Sequence, residues 1–317
     1  MIMYNGIVNI YKEQGFTSHD VVAKLRGIYG QKKIGHTGTL DPMAEGVLIV
    51  VLGSATKLAD LIVSKRKKYI AGMKFGAATT TDDITGEIIS SVDEAFLRER
   101  LSDEGFQEEL KNTMAGFLGE SMQIPPRYSA IKVNGKKLYE YARAGIEVEI
   151  EPRPIQIYSM EIKSVDKDAG EVTFEVECSK GTYIRSLIRD IGEKMGLKAT
   201  MSSLLRGEVN GVYAEDGYRL SDLQKMKEEG RLAETVLKTE TLLAGYPKVS
   251  VKPEYEKLLQ NGNRLPVEGV EPLGDGMQDF IGTLRSCEFF SVFMKDELRA
   301  LYTYDKKNNN LKVYKML

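Results

Sequence analysis

The 317-residue chain has no tryptophan, two cysteines and two histidines. Each scarcity excludes something. Cys178 and Cys287 are too few for a disulfide framework, and with only His19 and His36 beside them they do not make a zinc site of the usual kind. Metal catalysis is therefore not expected, and a reduced, cytoplasmic protein is. The longest apolar run, Gly46 to Leu52, is far too short to span a membrane. The opening MIMYNGIVNIYKEQG lacks the basic-then-apolar layout of a secretory signal. GHTGTLD lacks the Gly-Lys-Ser/Thr ending of a P-loop, and no G-x-S-x-G elbow occurs. A glycosidase would need two carboxylates around one bond, and Asp41 is the single carboxylate that stands out.

What is present is segregated charge on an ordinary apolar background. The length predicts two domains. Net charge is only −2, yet residues 1–81 hold 11 Lys/Arg against 5 Asp/Glu, and residues 82–122 hold 3 against 11. The basic part includes SKRKKY, in which Lys65, Arg66, Lys67 and Lys68 end on Tyr69. Such a run is either a solvated face or a phosphate-tracking patch with a ring for a base to stack on.

Alternation in EVTFEVEC puts Val172, Phe174, Val176 and Cys178 on one strand face. The following SKGTYIRSLIRDIGEKMG spaces Ile184, Leu187, Ile188, Ile191 and Met195 as a helix, with Thr182 as N-cap and Gly196 as C-cap. SVDEAFLRERL reads as a capping box, Ser91 with Glu94, opening an acidic helix over 93–109. QIPPRYSAIKVNGKKLYEYARAG combines paired prolines, an Asn134–Gly135 hairpin turn and five cations among three tyrosines. It predicts a long basic surface excursion over about 123–150, suited to a polyanion. From about 245 onward, a helix over Pro253–Gln260 and alternating runs such as ELRALYTY and LKVYKML predict a small β-barrel-like module.

KKIGHTGTLDPMAEGVLIVVLGSATKL sets Asp41 between a Gly/Thr-rich turn and the apolar run. Its local explanation is a helix N-cap, with Pro42 tolerated at the first helical position. Arg185 argues for more. Near N3 of its helix it opposes the macrodipole, where an acid would be stabilising by about 0.3–1 kcal/mol, and Lys180 crowds the same end. The arrangement suits a docked anion, and Arg185 paired to Asp41 would hold that carboxylate ionised. A pairing of Arg185 with some surface acid is the alternative. Tyr69 and Tyr183 each fit a core role as well as an active-site one, and His36 fits an exposed turn beside two glycines.

Four blocks in this order, GHTGTLDPMAEGVLIV, KKYIAGMKFGAATTTDDITGE, IPPRYSAIKVNGKKLYEYARAG and CSKGTYIRSLIRDIG, closely resemble the bacterial tRNA pseudouridine-55 synthases. The likeness runs from near Gly6 to about Tyr213, and the last seventy or so residues are more weakly similar to that family's PUA domain. The resemblance implies an α+β pseudouridine synthase fold with a mixed central sheet, spanning 1–244, and a small C-terminal β-barrel (PUA-like) domain over 245–317. It implies isomerisation of one uridine in the tRNA T-loop by base flipping, without metal or organic cofactor. Asp41 matches the family's catalytic aspartate, Tyr69 the tyrosine that stacks on the target uracil and serves as a possible base, and Arg185 the arginine paired to the aspartate. Tyr183 and Leu204 match residues lining the pocket, and His36 matches a histidine that organises the opened T-loop. Lys180 and the cations Lys65, Arg66, Lys67 and Lys68 are expected to bind substrate. The expected partner is the tRNA T-arm, with no membrane, no obligate protein partner and no more than a monomer called for.

Two departures from the family pattern are visible. Lys12–Glu13 stands where a Lys-Pro turn is usual, and Leu205–Arg206–Gly207–Glu208 is less basic than usual after Leu204. The competing readings are the catalytic subunit of a guide-RNA-dependent pseudouridine synthase, a tRNA-folding chaperone, and a plain RNA-binding module.

Overall fold

The apolar run after Asp41 forms a strand, Glu45–Leu52, buried from Gly46 onward. A strand of that kind must be covered on both faces, and the molecule is laid out around it. A computed structural model describes residues 3–62, 66–243, 245–274 and 279–317. Lys65 of the basic run, and position 244 at the expected domain boundary, lie outside the described residues.

The elements of the larger part are β1 (Gly6–Lys12), α1 (Ser18–Tyr29), β2 (Ile34–His36), β3 (Glu45–Leu52), α2 (Ala59–Ile62), β4 (Arg66–Phe75), β5 (Ala77–Thr79), β6 (Ile88–Ser91), α3 (Glu94–Ser102), α4 (Phe106–Ala115), β7 (Gly119–Gln123), β8 (Lys132–Val133), β9 (Lys136–Lys137), α5 (Leu138–Arg143), β10 (Arg153–Asp166), β11 (Glu171–Ser179), α6 (Ile184–Lys194), β12 (Ala199–Val209), β13 (Val212–Tyr213) and α7 (Leu220–Glu228). The central sheet runs β1-β3-β12-β4-β11-β10-β7, with β2 against β3 and β13 against β12. It is mixed, because β3 and β12 run parallel, Leu205 opposite Glu45 and Arg206 opposite Gly46. That contact needs glycine. Gly46 has φ +100, and a Cβ there would lie 2.3 Å from Arg206 O.

The apolar stripe of α6 (Ile184, Leu187, Ile188, Ile191) packs with Tyr69, Ala71, Met73, Phe174 and Val176 of β4 and β11. Helices α1 and α7 cover the face of β3 that carries Leu48, Val50 and Leu52. Its other face, Val47, Ile49 and Val51, shares a cluster with Phe289 and Leu301 from the C-terminal part.

That part holds β14 (Lys248–Val251), α8 (Glu256–Gln260), β15 (Leu265–Pro266), β16 (Val270–Pro272), α9 (Phe280–Ser286), β17 (Phe290–Met294), β18 (Glu297–Asp305) and β19 (Asn310–Met316). The expected barrel is a curled half-barrel, ordered β15-β19-β18-β17-β14-β16. Its end strands are two and three residues long and each carries a proline without an N–H, so neither continues the ladder among the described residues.

Local expectations differ at several points. No helix follows Asp41; Ala44 N donates to Asp41 O (3.1 Å) in a turn that leads directly into β3, so Asp41 is not an N-cap. The cap of α3 is Asp93, accepting from Phe96 N, while Ser91 ends β6. The acidic stretch is two helices, α3 and α4. The N-cap of α6 is Tyr183, one residue after the expected Thr182, and its N–H donates to Gln123 Oε1 at 2.9 Å. Asn134 and Gly135, with φ 50 and 84, form the predicted hairpin turn between β8 and β9. Pro253–Tyr255 is a tighter 3-10 turn leading into α8. No helix among the described residues is long and apolar enough to cross a membrane.

Candidate active site

Asp41 opens onto a cleft of about 750 Å³. Seven segments line it: Thr17–His19, the loop Thr39–Pro42, Lys67 and Tyr69 of β4, the turn through Thr81, Asp83 and Thr85, the basic excursion, Gly181–Arg185, and Leu204 of β12. The excursion contributes Tyr128, Ser129, Lys137, Tyr139 and Arg143, so it is a wall of the site as well as a surface feature.

Arg185 is 4% exposed, with Nε 2.9 Å from Asp41 Oδ2. Its other nitrogens donate to Thr81 O (2.8 Å) and Tyr128 O (2.9 Å), and Nη1 is 3.8 Å from Asp83 Oδ2. The guanidinium thus ties the Asp41 loop, the Asp83 turn and the excursion to the start of α6. Asp83 is itself held by Thr81 Oγ1 at 2.7 Å and Thr85 N at 3.0 Å.

The loop around Asp41 is pinned at most of its carbonyls. Ser18 Oγ bonds Leu40 N (2.9 Å) and donates to Leu40 O (3.2 Å). Arg206, 2% exposed, donates from Nη2 to Gly38 O (3.1 Å), from Nη1 to Thr39 O (3.3 Å) and from Nε to Val47 O (2.7 Å). On the far side Lys12, fully buried, donates to Pro42 O (3.3 Å) and Ala44 O (2.6 Å), and Gly15 N donates to Pro42 O (2.8 Å). Two buried cations on carbonyls flank one carboxylate. A reacting group held this way needs little reorganisation.

Desolvation raises the Asp41 carboxyl above its ordinary value; Arg185 opposes the rise and Asp83 adds to it. The side chain keeps 34% of its surface at the cleft mouth, so the loss of solvent comes from the surrounding walls. Burial pushes the Tyr69 hydroxyl up to about 12, against a lowering from Arg206, so Tyr69 presents a neutral ring. Burial also lowers the amines of Lys12 and Lys67 to about 8, raises the Tyr183 hydroxyl and lowers His36.

Residues 26–184 match the TruB family pseudouridylate synthase N-terminal domain. Over 99% of both chains the protein is 38% identical to tRNA pseudouridine synthase B of Ligilactobacillus salivarius. With the enzyme of that name from Clostridium tetani it shares 43% identity over 81% of this chain and 84% of the other. The chain belongs to the TruB family of pseudouridylate synthases. Among solved structures it is similar to one of a Cbf5-Nop10-Gar1 complex (TM-score 0.70, 27% identity, 98% of this chain and 84% of that one). It is also similar to an H/ACA RNP bound to a substrate RNA containing 2′-deoxyuridine (TM-score 0.68, 26% identity, 98% of this chain and 84% of that one).

Within this TruB-family site Asp41, Tyr69, Arg185, Tyr183, Leu204 and Lys67 come together around the cleft. Others expected there lie elsewhere. The basic run is not one patch, because a strand alternates its faces. Lys67 shares the cleft face with Tyr69. Arg66 and Lys68 take the opposite face, Arg66 3.2 Å from Glu177, Lys68 3.9 Å from both Glu175 and Glu208. Lys180 is exposed and outside the cleft lining. His36 is not in an exposed turn: it ends β2 opposite Val50, half-buried, with its ring edge-on to His19 at 5.5 Å. His19 lines the cleft.

Sequence reasoning does not single out Lys12, Ser18, Asp83 or Arg206 as site residues. In sequence Arg206 reads only as part of a weakened basic stretch; it is instead buried, and its partners are carbonyls far away along the chain.

Proposed function

We propose that this TruB-family enzyme converts the uridine at position 55 of the tRNA T-loop to pseudouridine, with Asp41 as the attacking carboxylate. The observation that carries the proposal is the Asp41–Arg185 pair at 2.9 Å on a pinned loop that opens into the cleft. In the net reaction the C1′–N1 bond breaks, a C1′–C5 bond forms, N1 gains a proton and C5 loses one. A desolvated carboxylate is a stronger nucleophile than a hydrated one, and Arg185 keeps it charged and aimed. The ring of Tyr69 stacks on the detached uracil, and Leu204 and Tyr183 close the sides of the pocket. The target base leaves its stack at a cost of a few kcal/mol, offset by contacts to phosphate and shape.

The excursion over 123–150 grips the T-arm. The Tyr139 ring at the cleft wall has two cations near it, Lys137 Nζ 5.4 Å and Arg143 5.3 Å from its centre, so an aromatic surface for a base stands beside charges for phosphates. Residues 1–244 act as the catalytic unit and 245–317 as a PUA-like RNA-binding unit, for which the separate core of the half-barrel is the support. The enzyme acts alone, in the cytoplasm.

The test is tritium release from C5 of labelled uridine in an unmodified tRNA transcript, using the purified protein alone. About one equivalent per tRNA is the expected result. Tight binding without release refutes the stand-alone enzyme and favours a guide-dependent subunit or a chaperone.

A further inference from the structure

Two neighbouring cations, Lys67 in the cleft lining and the buried Arg206 beside it, have no carboxylate partner among the described residues. Among the described residues, neither Lys67 nor Arg206 forms an ion pair; the charge felt most by Lys67 is the like charge of the Arg206 guanidinium, and Arg206 bonds carbonyls and the Tyr69 hydroxyl. Arg185 and Lys12 add two more buried charges, against Asp41 and Asp83. Buried like charges without a counter-ion are costly, and a site that keeps them is built for an anion.

Gly38 marks where that anion fits. A Cβ on Gly38 would lie 3.5 Å from Lys67 Nζ and 3.6 Å from Arg206 Nη1, with no other described atom within 4 Å beyond its chain neighbours. Arg206 Nη1 donates to Thr39 O at a long 3.3 Å, and the guanidinium also lies in hydrogen-bonding reach of the Tyr69 hydroxyl. Thr39, next to Gly38 in the chain, and Lys67 both line the cleft. Lys67 stands two residues from Tyr69 on the same strand face, about 7 Å along the strand. That is the order of distance between a base and a phosphate of its own nucleotide.

We propose that Gly38, Lys67 and Arg206 seat a phosphate oxygen of the flipped target nucleotide. A uracil carbonyl would accept a hydrogen bond there but leave both charges uncompensated, whereas a phosphodiester supplies the counter-charge. The inference rests on the proposed function for the identity of the nucleotide, and on geometry alone for the seat.

The test uses the full-length protein and a synthetic T-arm stem-loop in which one phosphate flanking the target uridine, 5′ or 3′ in turn, is a neutral methylphosphonate. Binding is measured by filter retention, which needs no turnover. Wild type is expected to lose about tenfold in affinity when one of these phosphates is neutralised. Lys67→Gln is expected to lose a similar factor on the natural stem-loop and nothing more on that methylphosphonate, the non-additive pattern of two groups in contact. Its salt dependence should be shallower by about 0.7–0.9 in log–log slope, and Lys67→Arg should restore it. Gly38→Ala keeps every charge and an allowed backbone but fills the seat, so it should weaken binding without changing that slope. Additive losses at both phosphates, or wild-type affinity in Gly38→Ala, overturn the proposal. Failure of tritium release by wild type would instead refute the proposed function and leave these binding results standing.

Discussion

Arg185 Nε lies 2.9 Å from Asp41 Oδ2, and the same guanidinium holds Thr81 O and Tyr128 O. One side chain therefore both charges the carboxylate and assembles three walls of the cleft.

Asp41→Asn removes the nucleophile and keeps the shape. Tritium release should fall by more than about a thousandfold. Affinity for tRNA should stay within about threefold, since the grip lies in the excursion and in cations other than Arg185. Wild-type release by the variant would refute the role given to Asp41.

Arg185→Gln should move the acid limb of kcat/KM to higher pH. The Asp41 carboxyl is already raised by burial, and Arg185 is the main group lowering it. Without that cation more alkaline solution is needed to ionise it. Leaving Asp41 and Asp83 without a guanidinium should also cost about 3–5 kcal/mol in denaturant titration. A limb that stays put in the variant would mean that the limb reports another group.

Lys12 gives a signed pH effect on stability. Burial brings its amine down to about 8 in the fold, against 10.5 for a free lysine side chain. Between those values the unfolded chain holds a proton that the folded one has released, so this residue makes stability rise with pH across that window. In chemical denaturation, the stability of wild type minus that of Lys12→Met should increase from pH 8 to about 10. A constant difference would mean that Lys12 stays charged in the fold.

Tyr139→Ala should weaken tRNA binding by about 1–3 kcal/mol, the worth of one stacked base. Equal affinity in a fluorescence titration would remove Tyr139 from the RNA-binding surface.

Where residues sit close in sequence, or in an unbroken pattern, the primary structure reveals the fold. Val172 to Cys178 alternate on β11, and the α6 stripe reads directly from its spacing. The pairing of Arg185 with Asp41 is legible in part: a cation at a helix start calls for an anion, and only the family resemblance selects Asp41 among the acids. What stays hidden depends on partners distant in the chain. Arg206 meets Val47 across 159 positions, and Lys12 meets Ala44 across 32. Neither has a local signal, since a buried cation on carbonyls looks in sequence like any surface charge. The split of Arg66, Lys67 and Lys68 is the reverse case: strand alternation predicts it once β4 is known to reach back to Arg66.

Strand β3 belongs to two cores at once, one face under α1 and α7 and the other under Phe289 and Leu301 of the half-barrel. Asp41 hangs from the start of that strand. Displacing the carboxylate by local loosening would require the helical layer and the C-terminal part to separate together. Catalysis and fold then share one melting event, and heating should abolish both together, with no inactive but still folded stage between.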